Sequence, residues 1–353
     1  MVASCVLSQR PLATSFPYQS AGSAKPQGRQ PTGNYPERHV TRCHGTSQSA
    51  EQFYEFLLDQ QASIIQQTEG LEASGIPFLR DRWSAAPSRC GITAVLQDGQ
   101  LLEKGAVNVS LVQGMLTPER ATTMSGRGRG IDPKGGQPYS AAALSLVYHP
   151  ASPFVPTLRA DVRLFQVEDQ SWYGGGCDLT PAYLFEEDAC RFHRHWKATC
   201  DKHGAKLYPR YKAWCDDYFY IPARQEHRGI GGIFFDDLEA ADAQFDVSQF
   251  VQDVAQGFIS SWKDIATERV AMPFTDKQRQ WQLLRRGRYL EFNLLYDRGV
   301  KFGLSGGRLE SIMVSAPPLI AWRYNVVPED GSAEARLVSV LQEPVDWASL
   351  ECG

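Results

Sequence analysis

The chain has 353 residues, a hydrophobic content of 42% and a formal net charge of −4 at pH 7. This length and apolar content allow a large buried core, and we expect one domain preceded by a tail. The acidic balance argues against nucleic acid as a partner, and no apolar run reaches membrane-spanning length. The eight cysteines form no Cys-x-x-Cys pair and no zinc-ligand spacing, which favours free thiols in a reduced compartment.

Residues 1–50 differ in composition from the rest of the chain. Ser, Thr, Gln, Gly and Pro dominate there, and five basic residues stand against the single acid Glu37. This composition is typical of an organelle transit peptide, and a disordered tail without a targeting role is the alternative. The serine content favours the plastid, in the chloroplast stroma, with the mitochondrion as second choice. We expect residues 51–353 to form the folded domain.

The first predicted elements are a helix and a hairpin. Apolar spacing in residues 51–73 predicts an amphipathic helix. The hairpin turns at Asp98-Gly99, and its second strand continues through residues 107–112. Further strands are predicted at residues 142–148, 160–167, 171–173, 232–235 and 289–295. Short turns rather than crossover helices join most of these strands, which indicates an antiparallel sheet.

Helical patterns fill the segments between and after these strands. Helices are predicted at residues 186–203, 207–218, 247–268, 275–286 and 333–341. This order predicts an α+β fold in a single domain, with a broad, mainly antiparallel β-sheet flanked by α-helices on both faces. Residues 125–136, rich in glycine and arginine, form a predicted mobile loop, either a lid over an anionic ligand or a solvated surface loop.

Three segments each combine glycine, aromatic residues and a carboxylate, at residues 172–181, 229–237 and 287–299. The first places three consecutive glycines before Asp178 at a predicted strand end, where backbone can approach a ligand closely. In content and order these segments resemble the oxygen-dependent coproporphyrinogen III oxidase family. The resemblance runs from about Gly75 to Trp347 without a large gap.

The resemblance implies an enzyme of haem or chlorophyll biosynthesis. Its substrate would be coproporphyrinogen III, a flexible tetrapyrrole whose propionates lose CO2 at the expense of O2 to give protoporphyrinogen IX. The family is held to need no metal or organic cofactor, and O2 is the co-substrate. The resemblance also implies a catalytic domain over residues 51–353 and a homodimer with residues 289–312 near its interface.

The same resemblance assigns candidate site residues one by one. The substrate-binding positions correspond to Ser145, Asp161, Val162, Arg163, Gly306, Gly307 and Arg308. The catalytic positions correspond to Asp178, Asp297 and Arg298, to which we add Arg159. In these roles Asp178 and Asp297 hold pyrrole N–H groups, and the propionates are held by Arg163, Arg298 and Arg308.

The residues themselves support part of this assignment. Side chains alternate along a strand, so Arg159, Asp161 and Arg163 share one face. If that face points inward it is a binding site, and if it points outward it is an ordinary exposed face with ion pairs. Asp297 and Arg298 offer a pyrrole acceptor beside a carboxylate donor, or else a turn aspartate and a surface arginine.

Two positions depart from the family pattern. Where the family has a histidine, often assigned as the proton donor, and an asparagine, this chain has Arg159 and Asp161. Arginine stays protonated throughout the accessible pH range, so it cannot act as a general acid or base. Because the changes add a cation and an anion to one strand face, we predict that they compensate each other.

These departures leave three interpretations of the function. The first is the family's oxidative decarboxylation. The second is a diverged paralogue that oxidises a propionate of another porphyrin or chlorin, for example to an acrylate, because a cation beside a carboxylate disfavours its departure as neutral CO2. The third is a non-catalytic tetrapyrrole-binding partner.

A metal site is not expected. The four-histidine site proposed for bacterial relatives corresponds here to His149, Arg159, His193 and Ala223. Only two imidazoles remain, and Arg159 would repel a cation, so we predict no functional metal.

Overall fold

A computed structural model describes residues 48–85, 89–125, 130–240, 243–304 and 308–352. Its main sheet consists of β1 (Leu79–Ala85), β2 (Arg89–Gln97), β3 (Leu102–Met115), β4 (Pro138–Pro150), β5 (Thr157–Val167), β6 (Gln170–Thr180) and β9 (Gly231–Leu238). The seven strands follow that order across the sheet, and every neighbouring pair is antiparallel. Two short strands, β7 (Tyr220–Ile221) and β8 (Glu226–His227), pair separately.

Helices cover this sheet on both faces. They are α1 (Gln48–Leu71), α2 (Pro118–Ser125), α3 (Glu186–Asp201), α4 (Leu207–Phe219), α5 (Val247–Gly257), α6 (Lys263–Arg269), α7 (Asp276–Leu295), α8 (Arg298–Leu304), α9 (Leu309–Met313) and α10 (Ala333–Gln342). The predicted α+β class and the mainly antiparallel sheet are therefore confirmed. In the described ranges, no helix is both long enough and apolar enough to cross a membrane.

Strand alternation gives the sheet two chemically different faces. One face is apolar and packs against α1, α3 and α5 in the main hydrophobic core, with side chains that include Val107, Leu144, Val162, Cys177 and Phe235. On the other face, one row of paired residues runs across five strands through Thr93, Asn108, Ser145, Asp161 and Gly176. Because this second face carries these polar residues, we call it the polar face.

The polar face is covered by α7 and α9. Tyr289 of α7 packs on Ala106 of β3 and Val147 of β4. At the other side of the sheet, Oγ of Ser311 in α9 lies 3.3 Å from Oγ1 of Thr93 in β2. The two helices therefore cover part of the polar face, while the side chains of Arg159, Asp161 and Arg163 stay 22–32% exposed.

The largest error in the predicted elements concerns residues 289–295, which are helical rather than a strand. A capping box of Thr275 and Gln278 begins α7, which then continues without a break to Leu295. The aromatic content of that segment reflects its contact with the sheet, not membership of it. The single helix predicted at residues 247–268 is in fact two, α5 and α6, separated by turns.

The glycine run predicted at a strand end lies inside β6 instead. Gly174, Gly175 and Gly176 all pair with residues of β5. A Cβ on Gly176 would lie 2.4 Å from the carbonyl oxygen of Ile233, so no other residue fits without movement of the backbone.

The expectation of free thiols is wrong for one pair. Cys190 of α3 and Cys352 near the end of the chain form a disulfide, with their Cα atoms 6.3 Å apart. The two residues are 162 positions apart, so no local spacing could have predicted the pairing. Among the described residues, Cys177, Cys200 and Cys215 keep free thiols.

Candidate active site

The charged residues of β5 lie together on the polar face, as strand alternation predicts. Asp161 accepts a hydrogen bond from Arg163, with Nη1 to Oδ2 at 2.7 Å. Its other oxygen lies 3.4 Å from Nη2 of Arg159. Both arginines therefore neutralise the same carboxylate, and the predicted compensation between Arg159 and Asp161 takes the form of an ion pair.

Arg159 keeps its charge in this setting. Burial alone would lower the pKa of its guanidinium, but the attraction of Asp161, with those of Tyr289 and Asp297, outweighs burial and raises the pKa overall. The guanidinium also donates to the carbonyl oxygen of Ala160. A group held so firmly in its protonated form cannot pass a proton to a substrate.

Arg163 of β5 reaches across β6 and binds a carboxylate of β9. Its Nη2 donates to Oδ1 of Asp236 at 2.9 Å, and the side chain passes over Gly174 of β6 on the way. A Cβ on Gly174 would lie 2.6 Å from that same Nη2, so the absent side chain is what leaves room for the bridge. Nη2 of Arg298 lies 3.8 Å from the other oxygen of Asp236.

We call these five residues the charged cluster: Arg159, Asp161, Arg163, Asp236 and Arg298. Asp236 is attracted by two arginines, as Asp161 is, so cations and anions alternate along the cluster. An extended, partly exposed row of guanidinium groups is suited to hold several carboxylates at fixed separations.

A second ion pair lies deeper, between Asp178 of β6 and Arg228. Asp178 is 3% exposed and Arg228 is 1% exposed. Nη2 of Arg228 donates to both carboxylate oxygens, at 2.7 and 2.8 Å, and Nη1 donates to Oδ1 of Asn293 at 3.0 Å. Burial raises the pKa of Asp178, and Arg228 opposes that rise.

Aromatic rings surround the guanidinium of Arg228. Its central carbon lies 4.0 Å from the ring centre of Phe219, 4.7 Å from that of Tyr289 and 4.8 Å from that of Phe292. Such stacking favours arginine over lysine at this position. Sequence reasoning missed Arg228, although it directly precedes the glycine-rich segment at residues 229–237.

Several buried polar atoms beneath α7 have no hydrogen-bond partner among the described residues. They include the hydroxyl of Tyr289, Nε of Arg228, Nδ1 of His149 and Oδ1 of Asn108. Nε2 of His149 lies 3.0 Å from the carbonyl oxygen of Ser315, which can only accept, so Nε2 carries the proton and Nδ1 is an unprotonated acceptor. Burial lowers the pKa of His149 to about 3, so the ring stays neutral.

The remaining predicted site residues are not all brought together. Oγ of Ser145 lies next to the cluster's strand, 3.5 Å from Nδ2 of Asn108. The side chain of Val162 points into the apolar core, because it alternates with Asp161 and Arg163, so it is not part of the polar face. Gly306 and Gly307 lie outside the described residues.

Asp297 and Arg298 lie where α7 ends and α8 begins. Oδ1 of Asp297 accepts a hydrogen bond from the backbone N–H of Val300 at 2.8 Å, as a helix-capping residue does. The side chain of Arg298 is 46% exposed, and its guanidinium lies 5.0 Å from the ring centre of Tyr218. Arg298 is therefore the most exposed member of the charged cluster, and Asp297 directly precedes it in the chain.

Arg308 stands apart from the charged cluster. It donates to Asp81 of β1 at 2.7 Å and to Ser311 at 3.0 Å. Four strand spacings separate β1 from β5, which is about 19 Å at the usual distance between strands. Arg308 therefore lies at the β1 edge of the polar face, far from Arg163.

The two histidines of the supposed metal site are not neighbours in a common cluster. His193 of α3 lies 3.0 Å from the hydroxyl of Tyr208 and 2.9 Å from the carbonyl oxygen of Ile230, whereas His149 lies on the polar face. In the part of the chain that the structure describes, no group of three or more His, Cys, Asp or Glu side chains is arranged to hold a metal ion.

Comparison with known proteins identifies the family. The family model described as coproporphyrinogen III oxidase matches residues 52–347. The mitochondrial oxygen-dependent coproporphyrinogen-III oxidase of Homo sapiens is 46% identical over 299 residues, covering 82% of this chain and 65% of that protein. The enzyme of that name from Drosophila melanogaster is 45% identical over 298 residues, covering 82% of this chain and 76% of its own length.

A plant relative is similar over a longer stretch. The chloroplastic oxygen-dependent coproporphyrinogen-III oxidase of Glycine max is 43% identical over 331 residues, which cover 90% of this chain and 85% of that protein. The chain spans less than two thirds of the length of its human and rat relatives, at 65% and 62%. Because the family model and these relatives cover most of its length, the chain belongs to the coproporphyrinogen III oxidase family.

Proposed function

We propose that this protein catalyses the O2-dependent oxidative decarboxylation of coproporphyrinogen III to protoporphyrinogen IX, in haem or chlorophyll biosynthesis. The observation that carries the proposal is the charged cluster, which lies on one face of the sheet beside the buried pair of Asp178 and Arg228. A tetrapyrrole with four carboxylates and four pyrrole N–H groups matches that pattern of donors and acceptors.

The roles of the site residues follow from their positions. Arg163 and Arg298 are the cations of the charged cluster that would hold propionates. Arg308 would contact a propionate only at the β1 edge of the polar face. Asp178 and Asp297 would accept pyrrole N–H bonds through lone pairs that their present partners leave free. These contacts would position the substrate and stabilise developing charge in a site that α7 and α9 cover in part.

The reaction balances without an organic cofactor or a metal. A propionate side chain, O2 and one proton give a vinyl group, CO2 and hydrogen peroxide. The two electrons released as the β-carbon loses hydrogen and the carboxylate leaves as CO2 reduce O2 to peroxide. We propose that O2 is the co-substrate and that no further cofactor takes part, in keeping with the oxygen dependence named for the relatives.

A product assay tests the proposal. Purified protein is incubated with coproporphyrinogen III in air, and the porphyrins are separated by chromatography after oxidation. We expect protoporphyrin IX, with one CO2 released for each vinyl group formed. A protein that binds the substrate but yields no decarboxylated product would contradict the proposal and would favour a non-catalytic tetrapyrrole-binding partner.

One observation favours a second candidate function. Arg159 holds a permanent positive charge on the polar face through its ion pair with Asp161. A cation beside a propionate stabilises the carboxylate against loss as CO2, while removal of β-hydrogen stays possible. The alternative is therefore a paralogue that converts a propionate of another porphyrin or chlorin to an acrylate, and the same chromatographic assay distinguishes the two products.

Location and assembly are further parts of the proposal. We infer a plastid location, with the mitochondrion as second choice, since plant relatives are named chloroplastic and the human relative mitochondrial. We also infer a homodimer, because exposed apolar side chains gather at the end of α7 and along α8 and α9, at Leu294, Leu295, Leu304 and Leu309.

The substitutions Asp297→Ala and Arg298→Ala are each expected to lower turnover by about two orders of magnitude or more, because each removes a charged contact to the substrate. Steady-state kinetics of the two variants measure the effect. Asp297→Asn is the matched control, since asparagine also caps a helix: it keeps the melting temperature while removing the carboxylate. Wild-type kinetics in both alanine variants would remove these residues from the mechanism.

A further inference from the structure

The hydroxyl of Tyr289 is the most conspicuous buried polar group that the proposed mechanism does not use. Tyr289 lies in α7 above Ala106 and Val147 and is 1% exposed. No partner for its hydroxyl is found among the described residues. A buried donor without a partner reduces stability, so its presence calls for a compensating role.

The surroundings of Tyr289 are rich in donors. Arg228 directs its two terminal nitrogens to Asp178 and Asn293, which leaves its Nε without a partner, and its guanidinium lies 4.7 Å from the centre of the tyrosine ring. Two unpartnered donors, the Tyr289 hydroxyl and the Arg228 Nε–H, therefore belong to side chains in direct contact.

The charge around the hydroxyl is also suited to an anion. Burial raises the pKa of Tyr289. The charges of Arg228 and Arg159 oppose that rise, as does a weak side-chain contact with Asn293, whereas the charge of Asp178 adds to it. His149 meets the ring edge to face, with the ring centres 5.3 Å apart, and it is neutral. Two cations, Arg228 and Arg159, and one anion, Asp178, therefore act on the hydroxyl.

We propose that Tyr289 is a substrate-contacting residue, and that its hydroxyl and Nε of Arg228 donate hydrogen bonds to one carboxylate of the tetrapyrrole. The pair forms a carboxylate subsite under α7, deeper than the charged cluster. The inference rests on the proposed function for the identity of the ligand, whereas the subsite itself rests on the two unpartnered donors.

The substitution Tyr289→Phe tests this subsite by binding rather than by turnover. The probe is coproporphyrin III, the stable oxidised form of the proposed substrate, whose fluorescence reports its binding. We expect its Kd to rise about tenfold in Tyr289→Phe, as for the loss of one hydrogen bond to a charged group. The tetramethyl ester of the same porphyrin has no carboxylate, so its Kd should be equal in the variant and the wild type.

Tyr211→Phe is a matched control on the opposite face of the sheet. Tyr211 is also 1% exposed and also has a hydroxyl without a partner among the described residues, but it packs in the apolar core against Phe235 and Phe250. Both phenylalanine variants should melt at or above the wild-type temperature, because each removes an unpartnered buried hydroxyl. Only Tyr289→Phe should weaken binding of the tetra-acid.

The outcomes separate this inference from the proposed function. A wild type that binds the tetra-acid without turnover, together with a Tyr289→Phe variant that binds it about tenfold more weakly, refutes the enzyme and supports the subsite. An unchanged Kd in Tyr289→Phe, an equal loss for acid and ester, or a wild type that does not bind the tetra-acid would each overturn the subsite.

Discussion

Replacing Arg228 by methionine is expected to abolish turnover and to lower the free energy of unfolding by about 3–5 kcal/mol. The reason is the carboxylate that remains: Asp178 is 3% exposed, and both of its oxygens receive their hydrogen bonds from Arg228. Without the guanidinium, an unpaired charge would be left in the interior. Chemical denaturation and a product assay on the same preparation measure the two effects.

The pH dependence of this variant identifies the cause. In Arg228→Met the pKa of folded Asp178 rises further above its unfolded value of about 3.9, since burial is no longer opposed. A raised carboxyl pKa makes the folded state relatively more stable at low pH, so the deficit should shrink as the pH falls towards about 4. Asp178→Asn in the same background should restore stability at neutral pH but not turnover.

Arg285 provides a matched control for the Arg228 experiment. Arg285 and Glu226 form another buried ion pair, with Nη1 to Oε1 at 2.9 Å, outside the candidate site. Arg285→Met should destabilise the protein while the folded fraction keeps its turnover. If Arg228→Met had the stability and the turnover of the wild type, the buried pair would have neither of the roles that we assign to it.

Replacing Asp161 by asparagine alone is expected to harm the protein, whereas Arg159→His with Asp161→Asn should recover stability and approach the decarboxylation of the wider family. Asp161→Asn alone leaves Arg159 and Arg163 on β5 without the carboxylate that they share, whereas Arg159→His alone leaves Asp161 paired with Arg163. The double change removes one cation and one anion together. Product ratios and denaturation curves of the four proteins form a double-mutant cycle.

The expected coupling energy has a limited range. Neighbours in one charged network couple by about 0.5–3 kcal/mol. We expect the coupling energy in stability to lie at the low end of this range, because the side chains of Arg159 and Asp161 are about a quarter exposed and solvent screens their attraction. Additive effects, or a wild type that decarboxylates coproporphyrinogen III as fast as the rest of the family, would mean that the two substitutions are tolerated drift.

The sequence predicted those features that follow from strand periodicity. Alternation along β5 placed Arg159, Asp161 and Arg163 on one face, and the Asp98-Gly99 turn fixed the hairpin of β2 and β3. The same alternation implies that Val162 faces the core, a consequence that the assignment by resemblance did not take into account.

Other features depend on tertiary contacts that no local pattern reveals. Arg228 follows β8 and reaches Asp178 of β6, 50 residues earlier in the chain, so only the folded sheet brings the two together. Residues 289–295 have the aromatic composition of a strand, but the helix that begins at Thr275 continues through them and places Tyr289 on the sheet. Local composition was outweighed there by helix propagation from a capped start.

The order of the strands has a consequence for how the chain folds. Five of the six neighbouring pairs join consecutive strands, whereas β6 pairs with β9 across an intervening stretch that includes α3 and α4. Local hairpins form quickly, and pairs distant in sequence form slowly because a longer loop must close first. Pairing of β9 brings in two residues of the site: Asp236, which binds Arg163, and Arg228, which precedes β9 and binds Asp178. Ligand binding should therefore return only in the last phase of refolding, after most of the β-sheet signal has recovered.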